Sequence, residues 1–517
     1  MQQPTQQTQP TPQQVFEEAY KLLRMGEVFE AAKRAGKLRA HFPDDIPILA
    51  LHGFVLAKMG VHPQALSDLI KAAQLTENGL KNEEDENPSR PRIVDQLIRL
   101  SVQICRSSLA IGEMKAADES IEHALKWDPD RGDAVAAKAE LLAKQGKVDE
   151  ALAILTKGFE DKLESMPLAL SKASVLLGLE AVDTKLLNDV KEQLESEAQV
   201  SGHGALDLGD LLRALGMVCD RLGEHDDAFN AFRRAAKLRR GAYDPRAHTM
   251  MTTKIIHDWN SDALAKLSKP SQSGERFVLV LGAPHSGAHE LSELLGQFEG
   301  ATVVGPLETL STAGVRHLGA RQGVLRPVPF EPNKLRGTQL KEAGQAYSDQ
   351  LVAMMPKSDI DSGSDSTLRA IDTHPLNIPL AGAAAMILPG INIVMCRRDP
   401  MESTLACYCD AMVGNHPYAG DLVNAAGFVA DCNRMLDHWA GLLGDDAIGA
   451  NVLEVNYADL VADPKKTAAK VARDIGLDAR ATAIKSLPSF DQGPGEHVDS
   501  YKQFTKPIVG FFEPANA

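Results

Sequence analysis

Five apolar residues, Phe277, Val278, Leu279, Val280 and Leu281, run straight into Gly282-Ala283-Pro284-His285-Ser286-Gly287, and a stretch of helical periodicity follows over 288–297. A glycine-bearing loop that opens a helix directs free backbone N–H groups, and the positive end of the helix dipole, at one point suited to a phosphate or sulfate. Gly282 and Gly287 have the five-residue offset of a Walker A loop, but Ala288 and His289 stand where that motif has Lys and Ser or Thr. The lysine for the β/γ-phosphates and the hydroxyl for Mg²⁺ are therefore missing, which argues against ATP hydrolysis. Ser286 still offers a hydroxyl, and Arg398 a guanidinium with bidentate geometry for a second phosphate.

Other chemistry-bearing groups read more plainly. His285 and His289 lie one helical turn apart, with His374 and Glu290 as further donors, but polar residues at a helix start explain them and no metal is expected. Cys407 and Cys409 are two apart on a predicted helix, so their side chains diverge. Arg397 and Arg398, with Lys465 and Lys466, lack the interleaved aromatics of a nucleic-acid platform. Asp399 before Pro400 predicts a helix N-cap.

The elements that must position these residues alternate. Apolar runs at 277–281, 392–396 and 451–455 are separated by helical patterns at 400–413, 422–443 and 464–476. Strands alternating with helices imply βαβ units and a mostly parallel sheet. The polar stretches 358–366 and 271–274 read as a surface loop and an interdomain linker.

The first half has a different grammar. A Gly followed five residues later by Ala recurs at Gly26/Ala31, Gly60/Ala65, Gly112/Ala117, Gly146/Ala151 and Gly223/Ala228. Two of the gaps are 34 residues and the others are 52 and 77, which implies insertions and one decayed copy around 165–200. Twelve residues after the Gly stand Ala72, Ala124, Gly158 and Ala235, with Leu38 the exception. The pattern resembles the tetratricopeptide repeat over about 14–240, with Gly ending one helix and small residues letting paired helices approach. Stacked hairpins of that kind leave a groove for a peptide or partner protein, or serve only as a scaffold. The polar insert 80–92 reads as a solvated loop.

The 517 residues carry 55 Lys plus Arg against 70 Asp plus Glu, a net charge of −15 that opposes non-specific binding to nucleic acid or anionic lipid. The longest apolar run, 381–396, is interrupted by Pro389, Gly390 and Asn392 and is too short to span a bilayer. The Gln-, Pro- and Thr-rich start reads as a disordered tail rather than a signal peptide. Six scattered cysteines read as reduced thiols in a cytoplasm.

From residue 277 onward the motif order resembles the sulfotransferase family that uses 3′-phosphoadenosine-5′-phosphosulfate (PAPS), in its bacterial form with N-terminal tetratricopeptide repeats. Four segments carry the resemblance. The first is the loop from Val280 to Gly287, similar to the 5′-phosphosulfate loop. The second is Asp372-Thr373-His374-Pro375-Leu376-Asn377, similar to a D-K-x-P-x-N segment. The third runs from Arg397, Arg398 and Asp399 to Cys407 and Tyr408, similar to the 3′-phosphate motif. The fourth is Tyr457 with Ser500 and Lys506, similar to the adenine-side tyrosine and the closing loop.

The fold class expected is an N-terminal tetratricopeptide-repeat α-solenoid followed by a P-loop-like α/β domain with a mostly parallel sheet. The boundaries expected are a tail at 1–13, the solenoid at 14–245, a connecting helix and linker at 246–274, and the α/β domain at 275–517. The resemblance implies sulfuryl transfer from PAPS to a hydroxyl of a protein or glycan, without a metal. It implies His285 on the bridging oxygen and Glu308 as base. It also implies Pro284, Ser286, Gly287, Ala288, Arg398, Tyr457, Ser500 and Lys506 around the donor.

Departures at seven residues fall on chemistry-bearing positions. His285 replaces Arg or Lys, Ala288 and His289 replace two Thr, Pro306 replaces the usual Glu, Thr373 replaces Lys, Ala406 replaces Ser and Thr505 replaces Arg. Two readings follow: an enzyme with substituted groups and impaired transfer, or a non-catalytic adaptor whose second domain is structural or senses a nucleotide.

Overall fold

In a computed structural model the chain divides into two compact units, Met1–Ala242 with Cys409–Gly420 and Tyr243–Tyr408 with Asp421–Ala517. The structure describes residues 11–81, 88–238, 243–267, 270, 273–305, 309–321, 325, 328, 331–355, 368–410, 416–444, 449–490 and 493–513.

The first unit is a series of helical hairpins from Pro12–Arg24 to His225–Ala236. At Gly26, Gly60, Gly112, Gly146 and Gly223 φ lies between +75° and +84°, the left-handed conformation that suits glycine at a helix end. The following N–H reaches back to the helix, as from Lys147 to the Leu142 carbonyl at 2.9 Å. Ala31, Ala65, Ala117, Ala151 and Ala228 are wholly buried. A Cβ on Gly216 would fall 2.5 Å from the Phe232 ring, so the small residue sets that helix–helix approach.

Each apolar cluster draws on a hairpin and on the first helix of the next. One joins Ile98 and Val102 to Ala117 and Ile121, and on to Ala134 and Leu141. Polar ties repeat at almost the same interval. Arg106 holds Glu140 through Nε and Nη2, both at 3.1 Å, and Ser171 donates to the Ala136 carbonyl at 3.0 Å.

Three sequence expectations are adjusted here. The copy around 165–200 is an intact pair, Ser165–Leu177 and Thr184–Glu197; its turn starts at Gly178 with φ −76°, so it lacks the glycine signature but not the hairpin. The insert 80–92 is not all loop, because Leu80 is buried in helix His62–Lys81 and Arg90 begins the next helix; residues 82–87 lie outside the described ones. Helical structure begins before residue 14. Thr11 caps helix Pro12–Arg24 in a reciprocal box, its N–H donating to Gln14 Oε1 at 2.8 Å, and residues 1–10 are outside the described ones.

The second unit is built on five parallel strands: β1 (Phe277–Gly282), β2 (Ala301–Val303), β3 (Arg369–Asp372), β4 (Asn392–Arg397) and β5 (Asn451–Asn456). Their order is β2-β3-β1-β4-β5, so β1 is central: the chain leaves it for the β2 edge, returns through β3 and crosses to β4 and β5 on the other side. Buried on both faces, β1 is apolar at every position before its glycine. Val278 and Val280 pack with Leu291, Leu294, Val471 and Ala472 of helices Ala288–Leu295 and Pro464–Asp474. Helix Leu422–Leu443 packs on β1 and β5. Strands β2 and β3 were not among the runs read from sequence, because three and four residues are too short for a periodicity to register.

Helix Pro245–Asp258, read as a connector, lies in the second unit. Its His248 Nδ1 lies 3.1 Å from Asp431, and Thr249 donates to the same carboxylate at 2.7 Å. Trp259 meets Trp439 edge-on at 6.1 Å, and a Cβ on Gly382 would come within 2.8 Å of both rings. Gly274, at the end of the expected linker, is packed against Leu388 and Ile391; residues 271 and 272, like the loop 358–366, are outside the described ones.

Two stability outcomes follow. Gly146→Ala lowers stability by about 1–2 kcal/mol through backbone conformation alone, since nothing lies within 4 Å of the added Cβ. Gly79→Ala, inside helix His62–Lys81 with equally open space, raises it by about 0.8–1 kcal/mol. Urea denaturation followed by helical circular dichroism checks the opposite signs. Burial pushes the Asp431 carboxyl up, but hydrogen bonds from His248, Thr249 and Arg434, with the electrostatic effect of His248, outweigh it and hold it below its ordinary 3.8. Asp431→Ala costs about 3–5 kcal/mol at neutral pH, read by fluorescence of Trp259 and Trp439 in urea. A depressed carboxyl contributes its pairing above the unfolded value and loses it as pH falls through the folded one, so the gap between the two proteins narrows below about pH 4.

Candidate functional site

The carboxyl ends of β1 and β4 lie side by side, with Gly282 in register with Cys396. In an open parallel sheet this edge, next to a change of winding direction, is where ligands collect. The loop leaving β1 is held in an unusual shape. His285 has φ +60° and Gly287 φ +90°, and the Ser286 N–H closes a turn on the Ala283 carbonyl at 3.1 Å. Gly287 also begins helix Ala288–Leu295 without a side-chain cap. First-turn amides of that helix thus have no capping side chain.

Glycine is required twice in this loop. A Cβ on Gly282 would fall 2.0 Å from Ser286 Oγ, and one on Gly287 would fall 2.8 Å from the Tyr457 ring. Pro284, Ser286 and Gly287 are buried and His285 and Ala288 half-buried. Ser286 Oγ, shut away from solvent, has no hydrogen-bond partner among the described residues. Such a hydroxyl forfeits the hydrogen bonds it had in water unless a ligand restores them.

Arg398, the residue after β4, reaches this loop. Its side chain is 1% exposed, and Nη1 donates to the His285 carbonyl at 3.0 Å. Nε donates to Glu402 at 3.1 Å and Nη2 to Glu496 at 2.5 Å, while the Tyr457 ring lies 4.2 Å from the guanidinium. Arg397 goes elsewhere, bonding Glu454 through Nε and Nη2 and pairing with Asp437 through Nη1. Asp399 caps helix Pro400–Cys409, its Oδ1 accepting from the Met401 and Glu402 amides.

At the end of β3, Asp372 is wholly buried and accepts from Tyr347 Oη at 2.8 Å, Asn377 Nδ2 at 3.2 Å and the His374 amide at 3.2 Å. A Cβ on Gly305 would fall 2.8 Å from Asp372 Oδ1, so the backbone at Gly305 is pressed against this hub. His289 is exposed and turns to Glu293 at 3.1 Å; that hydrogen bond raises its imidazole above the ordinary value.

The residues expected around a donor are thus partly assembled. The loop 284–288, Arg398 and Tyr457 converge. Ser500 and Lys506 are exposed on the short C-terminal helical turns, and among the described residues of that region Glu496 reaches Arg398. Glu308 and Pro306 lie outside the described residues. Glu402 was legible as the i+4 partner of Arg398 at a helix start. Glu496, 98 residues away in sequence, left no local signal.

Residues 278–481 match the sulfotransferase family model, and residues 109–171 match a tetratricopeptide repeat model. An uncharacterized protein of Aquifex aeolicus (strain VF5) is 22% identical over 348 residues, 64% of this chain and 43% of that protein, so the chain spans less than half of the curated relative's length. A chain in a solved structure titled "Structure of Naa15/Naa10 bound to HypK-THB" is 14% identical, with 96% of this chain and 65% of that chain covered and a TM-score of 0.19, too low to indicate a shared fold. The β1 loop, Asp372, Arg398 and Tyr457 all fall inside the sulfotransferase match, and helical hairpins with their left-handed glycines fill the repeat match. The chain is a tetratricopeptide-repeat protein carrying a sulfotransferase-family domain.

Proposed function

We propose that the C-terminal domain binds PAPS at the β1 loop and transfers its sulfuryl group to a hydroxyl of a protein or glycan, releasing adenosine 3′,5′-bisphosphate without a metal. The observation that carries this reading is the buried Ser286 hydroxyl, without a hydrogen-bond partner among the described residues, in a left-handed loop with Arg398 fastened to the same loop's backbone. The amides of 286–288 and Ser286 Oγ suit the 5′-phosphosulfate, Arg398 the 3′-phosphate, and Tyr457 the adenine side. Sulfuryl transfer builds charge on the departing phosphate as the S–O bond breaks, and His285 is the residue of this chain assigned to that oxygen. Glu308 is assigned to take the acceptor proton. Ser500 and Lys506 stay assigned to the closing segment.

In the same reading the repeats hold a protein or peptide partner. No helix of the described residues is long and apolar enough to cross a membrane. The six cysteines are buried and form no disulfide, and a cytoplasmic setting is part of the same reading.

A second reading, a non-catalytic adaptor with a structural or nucleotide-sensing second domain, is favoured by one observation. The Arg398 guanidinium is already bonded to two carboxylates. The substituted His285, Thr373 and Pro306 fit that reading as well.

Titration of the full chain with adenosine 3′,5′-bisphosphate separates these. Ser286→Ala is expected to leave stability within about 1 kcal/mol, because an unbonded buried hydroxyl contributes nothing to the fold, and to weaken nucleotide binding roughly tenfold. Unchanged affinity in that variant, or no binding to the parent at millimolar nucleotide, overturns the donor-site reading. Binding without transfer from PAPS to any lysate acceptor favours the sensor. If transfer is impaired rather than lost, His285→Arg combined with Pro306→Glu raises the rate of sulfate incorporation; a rate that stays at background counts against the enzyme.

A further inference from the structure

The cation that the proposed donor site depends on is occupied from two sides. Glu402 approaches Arg398 from the first turn of its own helix, and Glu496 approaches from Pro494–Tyr501. The two acids are not equivalent. Glu402 is fixed on helix Pro400–Cys409, four residues after the arginine and next to a capped start. Glu496 lies on a 3-10 segment broken at His497, where φ −140° and ψ 54° leave helical geometry. Both acids are partly exposed, Glu496 at 35% and Glu402 at 39%, against 1% for Arg398. The Glu496 carboxylate thus stands, with that of Glu402, between the arginine and solvent, on backbone that leaves helical geometry at the next residue. It also lies beyond 278–481, the span shared with the family.

We propose that Glu496 is a specificity-determining residue that occupies the seat on Arg398 for which the ribose 3′-phosphate of a nucleotide competes. This rests on the reading that the β1 loop takes the 5′ end of an adenosine nucleotide. A carboxylate and a phosphate both accept from the planar guanidinium fork, so one stands in for the other. A nucleotide with a 3′-phosphate has to displace Glu496, or sit beside two carboxylates with one cation between three anions. A nucleotide with a free 3′-hydroxyl meets neither demand. Glu496 thus acts on one substituent of the ligand and leaves the 5′ end, read by the loop amides and Ser286, untouched.

The test compares adenosine 3′,5′-bisphosphate with adenosine 5′-monophosphate on the full chain, at low salt, for the parent, Glu496→Gln and Glu496→Ala. Both variants are expected to bind the bisphosphate roughly tenfold more tightly, while affinity for the monophosphate stays within about twofold. The ratio of the two affinities is the readout, because a change in folding or loop order alters both ligands together. A ratio that stays constant in both variants, or bisphosphate binding that weakens, overturns the assignment of Glu496. If neither nucleotide binds any of the three proteins, the donor-site reading itself fails, and the Glu496 assignment fails with it.

Discussion

A guanidinium taken out of water needs acceptors for its donors, and Arg398 finds them on three separate stretches of chain. It bonds the carbonyl of a left-handed residue in the β1 loop, an acid on its own helix and an acid near the C-terminus, beneath the ring of Tyr457. The loop gains from this directly, since a backbone held at φ +60° on a histidine is strained and persists only where its surroundings fix it. Gly282 and Gly287 leave no room for alternatives around Ser286 and Tyr457. Charge and steric exclusion therefore define the same corner, and the orphaned hydroxyl is a by-product of that corner having one shape.

Architecture and chemistry rest on different residues in this domain. The sheet order, the β1 loop, the Asp372 hub and the capped helix after β4 form its frame. These are properties of backbone and packing, and they tolerate changes of side chain that catalysis does not. His285 and Ala288 keep the loop's backbone path while changing what it presents to a ligand. A fold can be retained in this way while its activity is altered, which is why fold and function need separate arguments.

What the sequence disclosed followed interaction range. The repeat glycines were readable because each acts within its own turn, and φ near +80° is a local requirement. Strands β1, β4 and β5 were readable from unbroken apolar runs; β2 and β3 were too short to register. The cap role of Asp399 was readable because donor and acceptor lie within three residues. By contrast, Tyr347 on Asp372 and Glu496 on Arg398 are contacts across 25 and 98 residues, made by side chains whose local context is ordinary helix or turn. The decayed repeat at 165–200 failed as a pattern but not as a hairpin, because helix pairing needs buried apolar faces more than it needs a particular turn residue.

The central position of β1 has a consequence during synthesis. Its register partners, Ala370 on one side and Asn392 on the other, are made about ninety residues or more after it. At roughly 5–20 residues per second, the ribosome leaves that uniformly apolar strand unpaired for several seconds. The helical hairpins before it close on neighbours a few tens of residues away and need no such wait. Nascent chains arrested between residues 290 and 370 would hence display a folded helical array attached to an adhesive β-segment, a species that chaperones must shield until translation passes β4.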